Sequence, residues 1–173
     1  MNEILEILKY TLPAIIVFIT AWIIIKQMIK NDQNRRNYEI VLKNQEMITP
    51  VRLQAYERLT LLLERISPEA LIMRLSKPSI KAKQLHTELL NTIRIEFDHN
   101  VSQQVYISHQ TWEIIKNTRT NIVKLVNSTA KRIKPDAPAY ELGKAILEDL
   151  MLLEKSPINI ALEVLKKELK QMY

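Results

Sequence analysis

Tyr10-Thr-Leu-Pro-Ala-Ile-Ile-Val-Phe-Ile-Thr-Ala-Trp-Ile-Ile-Ile25 runs for sixteen residues without a charge, between Lys9 and Lys26. As a helix it is roughly 24 Å long, short of the roughly 30 Å hydrocarbon core of a bilayer, so a span here has to draw on its flanks. Ile4, Leu5, Ile7 and Leu8 extend the apolar surface upstream, and Met28 and Ile29 do so downstream. Lys9 and Lys26 can lay their methylenes along lipid and lift their ammonium groups to the interface. Tyr10 and Trp22 lie near the ends, where aromatic belts form. Pro13 falls in the first turns, where its missing N–H disturbs few bonds. Apolar residues occupy every face rather than one stripe, which predicts a transmembrane helix in preference to a buried core helix. Glu3, Glu6 and the ending Trp-Ile-Ile-Ile-Lys argue against a cleaved signal peptide.

Orientation follows from the basic residues beside each end. Upstream there is Lys9; downstream there are Lys26, Lys30, Arg35, Arg36 and Lys43. The expected topology is a single pass through a bacterial inner membrane, with the N-terminus outside and the rest cytoplasmic. The predicted membrane-interface residues are Lys9, Tyr10, Trp22, Lys26, Lys30, Arg35 and Arg36.

The span divides the chain into an anchor at 1–30, a charged helical connector at 31–48 and a helical bundle at 49–173. One Gly, no Cys and seven Pro disfavour sheets with tight hairpins and favour helices punctuated by prolines. The predicted class is therefore all-α: a transmembrane helix followed by a compact cytoplasmic bundle of about five to six helices. The absence of Cys excludes structural disulfides and thiolate metal sites. A formal charge of +6, spread among Asp and Glu, fits anionic lipid beside an anchor better than a nucleic-acid-binding face.

Start signals recur along the bundle. Thr49-Pro50, Ser67-Pro68 and Ser156-Pro157 each read as an N-cap followed by a first helical proline. Ser79 and Ser108 are further candidate caps. Apolar residues return at helical spacing: Val51, Ala55, Leu59, Leu62, Leu63, Ile66; then Ala82, Leu85, Leu89, Ile93, Phe97; then Trp112, Ile115, Ile122, Leu125, Val126, Ile133. Val101 to Ile107 has some strand character but nothing to pair with, so a loop or irregular helical turn is expected. Helices over 140–155 and from Pro157 onward close the chain. The last carries Ile158, Ala161, Leu162, Leu165, Leu169 and Met172 at close to a 3.5-residue period, which reads either as docking on its own domain or as a partner surface.

Chemistry is sparse. A single Gly removes phosphate loops, dinucleotide-binding glycine motifs and nucleophile elbows together. Glu96 and His99, with Asp98, His109 and Glu113 nearby, form the best acid and imidazole cluster. A di-iron bundle needs such a Glu-x-x-His pair twice and two further Glu, and here it occurs once. No catalytic residue, metal site or cofactor is expected. The basic runs Lys77, Lys81, Lys83; Lys116, Arg119, Lys124; and Lys131, Arg132, Lys134 read first as solvated faces and second as lipid-facing.

Arg52-Leu-Gln-Ala-Tyr-Glu-Arg58, Leu61-Leu-Leu-Glu-Arg-Ile-Ser-Pro68 and Glu96-Phe-Asp-His-Asn-Val-Ser-Gln-Gln-Val-Tyr-Ile-Ser108, with the N-terminal anchor, resemble an uncharacterised family of single-pass inner-membrane proteins from Bacteroidetes such as flavobacteria. The resemblance covers nearly the whole chain, implies a domain of unknown function and carries over no site residues. A weaker likeness to the peripheral-stalk b subunit of rotary ATP synthases fails at Pro50, Pro68, Pro78, Pro135, Pro138 and Pro157, which chop the extension into short helices. The expected function is a membrane-anchored scaffold or adaptor that self-associates or joins an inner-membrane assembly. The alternatives are a peripheral lipid-binding or lipid-handling module and, third, a helical metalloenzyme. The candidate partner-binding residues are Arg52, Tyr56, Glu57 and Arg58, together with Leu162, Leu165 and Leu169.

Overall fold

The structure, a computed structural model, describes residues 2–171; the side chains of residues 2–10, 12 and 14 lie outside the described set. Its elements are all helical: α1 (Asn2–Arg65), α2 (Pro68–Leu75), α3 (Ala82–Asn100), a 3-10 turn (Val101–Val105), α4 (His109–Ala130), α5 (Ala139–Met151) and α6 (Pro157–Lys170). The only β-type pairing among the described residues is an isolated bridge between Lys81 and Pro138. Two compact units result, Met1–Thr49 and Pro50–Tyr173.

In the first unit, Ile15 to Ile19 and Trp22 to Ile25 are at least half exposed, on every side of the helix. Among the described residues no helix is long and apolar enough to cross a membrane. The expected span opens on Tyr10, Leu12 and Ala14, whose side chains lie outside the described residues, as do those of Lys9, Ile4, Leu5, Ile7 and Leu8. Thr20 turns its hydroxyl back onto its own helix, donating to Ile16 O at 3.0 Å and Val17 O at 2.9 Å. Beyond it, Arg35 pairs with Glu39 at 3.0 Å and Arg36 with Asp32 at 2.6 Å, both one turn apart.

Thr49-Pro50 was expected to open a helix, and the structure corrects this: α1 passes through Pro50 without a break. Proline inside a helix forfeits one backbone bond and crowds the preceding turn. The bonds on either side of that gap keep the helix going.

The second unit is a bundle around one core. Ala55, Leu59, Leu62, Leu63 and Ile66 of α1 and its following turn are buried at the expected spacing, whereas Val51 at the start of that stripe is 43% exposed and Tyr56, outside it, is buried too. Leu85, Leu89, Ile93 and Phe97 of α3, Ile115, Ile122 and Val126 of α4, and Leu142 and Ile146 of α5 complete the interior. Phe97 stacks on Trp112 with ring centroids 5.4 Å apart, and the Arg119 guanidinium lies 4.6 Å from the Phe97 centroid. The one glycine, Gly143, sits mid-helix in α5, where an added Cβ would come 3.0 Å from Ile72 Cγ2. Its role is to let α5 approach α2 closely; no described residue has a positive φ.

Caps divide into local and long-range kinds. Ser67 accepts from Ala70 N at 3.3 Å and Ser108 from Thr111 N at 3.2 Å. Ser79, expected to cap α3, does not: Lys81 holds the N-cap position without a side-chain bond. The first amides of α3 are satisfied from the α4–α5 loop instead, Ala82 N by Ala137 O at 2.8 Å and Lys83 N by Pro135 O at 3.1 Å. The helix expected over 140–155 ends at Met151, where Leu152 and Leu153 turn back with amides bonded to Glu148 O and Leu150 O.

Candidate functional site

α4 presents two faces. Trp112, Ile115 and Val126 enter the core, Ile114, Thr118 and Leu125 floor a groove on the neighbouring flank, and Ile122 lies between the two. Leu150 and Leu153 form one wall of it, and Pro157, Ile158 and Ile160 form the other. Pro68 closes one side, and Asn117, Asn121, Lys124 and Ser128 line the polar edge, spaced so that they share one side of α4. From Ile114 to Ser128 the helix rises roughly 21 Å, about four turns. The groove has a volume of about 630 Å³ and stands open along one side. Its floor is tied to the start of α6 by Thr118 Oγ1 donating to Pro157 O at 3.3 Å.

The lining includes Lys124 and Lys155 and no acid. Lys155 is paired with Glu163 at 2.6 Å, whereas Lys124 makes no ion pair among the described residues. Just past the wall, Met151 and Leu152 are each 83% exposed. An apolar trough with a polar edge, about four turns long, is the shape that accepts the apolar face of an amphipathic helix.

The residues expected to meet a partner are placed differently. Tyr56 is buried, and its hydroxyl donates to Glu168 Oε1 at 2.7 Å. Arg52 donates from Nε to Tyr106 O at 3.2 Å, and Glu57 and Arg58 are exposed. Leu162 and Leu165 are buried in the core and Leu169 packs against it. That stripe of α6 is covered by its own domain, since the apolar faces of α4 and α6 bury each other. Leu162 and Leu165 keep almost no exposed surface there, whereas Leu169 stays half-buried at the edge of the core. Of the interface set, Trp22, Lys26, Lys30, Arg35 and Arg36 are all exposed, and Lys9 and Tyr10 lie outside the described side chains.

Glu168 is a hub that the sequence did not reveal. Besides the Tyr56 hydroxyl it accepts Ser108 N at 2.8 Å, Ser108 Oγ at 2.7 Å and the Thr111 hydroxyl. Burial pushes its carboxyl upward, but the hydrogen bonds from Thr111, Ser108 and Tyr56 outweigh that and hold it below its ordinary range. Burial first, and then the bond to Glu168, push Tyr56 up to about 12. Four donors converging on one carboxylate tie α1, the start of α4 and α6 together as a structural clamp. A smaller clamp joins α4 to α5: Asp149 accepts from the Thr129 hydroxyl and Arg132, and both hold its carboxyl low.

Glu96, the acid of the expected acid and imidazole cluster, faces Arg65 at 3.4 Å and Arg74 at 3.7 Å. His109 lies 3.8 Å from Glu113, on the exposed first turn of α4. Among the described residues no group of three or more metal-ligating side chains converges.

No curated protein and no solved structure shows significant similarity to the chain. One family model does match, covering residues 2–172. The chain therefore belongs to that family, described as a family of unknown function (DUF7935).

Proposed function

We propose that the chain is a membrane-tethered helical adaptor. The apolar run of α1 is a single-pass inner-membrane anchor with its N-terminus outside, and the bundle is cytoplasmic and receives an amphipathic helix of a partner protein along α4. The Bacteroidetes origin suggested by the resemblance belongs to the same proposal.

The observation that carries it is the exposure of Ile15 to Ile19 and Trp22 to Ile25 on all sides of one helix. One-sided exposure calls for a facing partner, whereas apolar surface around the whole circumference calls for an apolar solvent. The one hydroxyl centred in this stretch, Thr20, bonds its own backbone, as a polar group must when no water is at hand. Lys26, Lys30, Arg35 and Arg36 follow at once, on the side the positive-inside rule assigns to the cytoplasm.

The cysteine-free sequence makes the test direct, because any introduced thiol is the only one. Asn2→Cys and Ser102→Cys variants are treated in intact spheroplasts with a membrane-impermeant maleimide. The expected result is labelling at position 2 from outside, labelling at position 102 only after lysis, and retention in the membrane through carbonate extraction. Release by carbonate, or external labelling at position 102, overturns the proposal.

A further inference from the structure

The first turn of α3 and the end of α4 meet at a second cavity, of about 480 Å³. Backbone bonds from Ala82 N, Lys83 N and Ala139 N to the facing segment fasten the two together. This brings Lys83 and Lys131, nearly fifty residues apart in sequence, to the lining of one cavity, with Lys81 and Lys134 two and three residues from them along the chain. None of the four forms an ion pair among the described residues. Elsewhere in the bundle, cations beside a neighbouring acid are paired: Arg65 and Arg74 with Glu96, and Arg132 with Asp149.

Lys83 and Lys131 line the cavity and no acid does; Asp136, in the adjoining loop, is exposed and is not part of the lining. The remaining walls are mostly apolar, from Ala82, Ala130, Ile133, Pro135 and Leu142. His86 stands at the edge with Nε2 held 2.8 Å from Asn127 Oδ1. An apolar floor with a few convergent polar groups is the usual composition of a small-molecule site, and the volume falls within the roughly 300–1,000 Å³ of such sites. Like charges that the backbone holds together, with no acid between them, favour an anion, and an ammonium pair binds phosphate as point charges.

We propose that this cavity binds a phosphate-headed amphiphile, with the phosphate on Lys83 and Lys131 and the apolar body against Ile133, Leu142 and their neighbours. The same chemistry is offered by a phosphatidic-acid head group with its chains and by free phosphate, and the two are distinguishable because only the first uses the floor. The site is distinct from both the anchor and the α4 groove, and it stands whether or not either is upheld.

The test titrates full-length protein in maltoside detergent with dihexanoyl phosphatidic acid, inorganic phosphate and dihexanoyl phosphatidylcholine, followed by calorimetry. Saturable one-to-one binding of the phosphatidic acid is expected, with inorganic phosphate and phosphatidylcholine each at least tenfold weaker. Lys83→Gln/Lys131→Gln should weaken the phosphatidic acid at least tenfold, while Lys144→Gln/Lys166→Gln, which removes the same charge elsewhere, should leave it within twofold. Far-UV circular dichroism of both double variants checks that the fold is intact; these lysines are exposed and make no bond in the core. Absence of saturable binding, equal affinity for inorganic phosphate, or equal weakening by the two double variants overturns the proposal.

Discussion

Replacing Glu168 separates the worth of a negative charge from the worth of filling its place. Each carboxylate oxygen takes two donors: Tyr56 hydroxyl and Ser108 N on Oε1, Ser108 and Thr111 hydroxyls on Oε2. In Glu168→Gln the amide oxygen can keep the Oε1 pair, while its NH₂ faces two hydroxyls that can rotate to accept. The loss is then charge assistance, about 1–2 kcal/mol. Glu168→Ala takes the carboxylate from all four donors, two of them on the buried residues Tyr56 and Thr111, and of the four the Ser108 hydroxyl keeps an acceptor in Thr111 Oγ1 at 3.1 Å. Partial entry of water brings the expected cost to about 3–4 kcal/mol. With a urea m-value near 1.5 kcal/mol/M, the midpoint falls by about 1 M for Gln and roughly 2 M for Ala. Trp112 fluorescence in a Trp22→Phe background reads the bundle alone, because Trp112 lies beside Thr111 in the core. The charge also has a pH signature. The folded pKa is depressed below the ordinary 4.5, so between the two values the unfolded chain binds more protons. The contribution of Glu168 is complete above the ordinary value and is lost as pH falls through the folded one. The parent should therefore lose stability more steeply below pH 4.5 than Glu168→Gln does. Equal costs for Gln and Ala, or identical acid limbs for parent and Gln, refute the reasoning.

The remaining predictions concern packing. Gly143→Leu should cost about 1–3 kcal/mol by overpacking against Ile72, while Gly143→Ala should fall within about 0.5 kcal/mol of the parent, because the helix preference of Ala offsets the displacement of a half-buried side chain; urea midpoints decide it. Arg119 combines a face-on contact with Phe97 and a buried Nε that has no hydrogen-bond partner among the described residues. Arg119→Met, which keeps the stem and removes the orphan donor, should therefore be no more than about 0.5 kcal/mol less stable, against about 1–2 kcal/mol for Arg119→Ala in the same assay.

What was legible in the sequence was what neighbouring residues decide. The apolar stripes of α1, α3, α4 and α5 follow from helical period alone, and Ser67 and Ser108 cap because the amide each accepts lies three residues on. Misreadings arose where a distant segment intervenes. Ser79 looked like a cap, but the α3 amides are taken by carbonyls more than fifty residues away. Tyr56 looked like a surface anchor, yet a tyrosine can sit in a core once its hydroxyl has a partner, and that partner is 112 residues on. Thr49-Pro50 carried a start signal, but proline weakens a helix without obliging it to stop. The α4 groove left one faint trace, Leu150-Met-Leu-Leu153, a run too apolar for a turn that faces only water.

The two uncovered apolar surfaces differ in kind, and the difference bears on what each is for. Around residues 15–25 apolar side chains point in every direction, so no single docked helix could cover them; the cover has to surround the helix. Along α4 the apolar floor is bounded by Asn117, Asn121, Lys124 and Ser128, so a cover is needed on one side only and must bring a polar back of its own. An acyl chain laid in that trough would leave its outer half in water, whereas an amphipathic helix would turn its own polar face outward. Lys124, which makes no ion pair among the described residues, lies in an acid-free lining and complements the proposed helix if that helix carries acidic residues along its flank. On the proposed adaptor reading, charge reversal there, Lys124→Glu, should weaken binding of the proposed partner helix more than Lys124→Gln does, and should leave the proposed membrane retention unchanged.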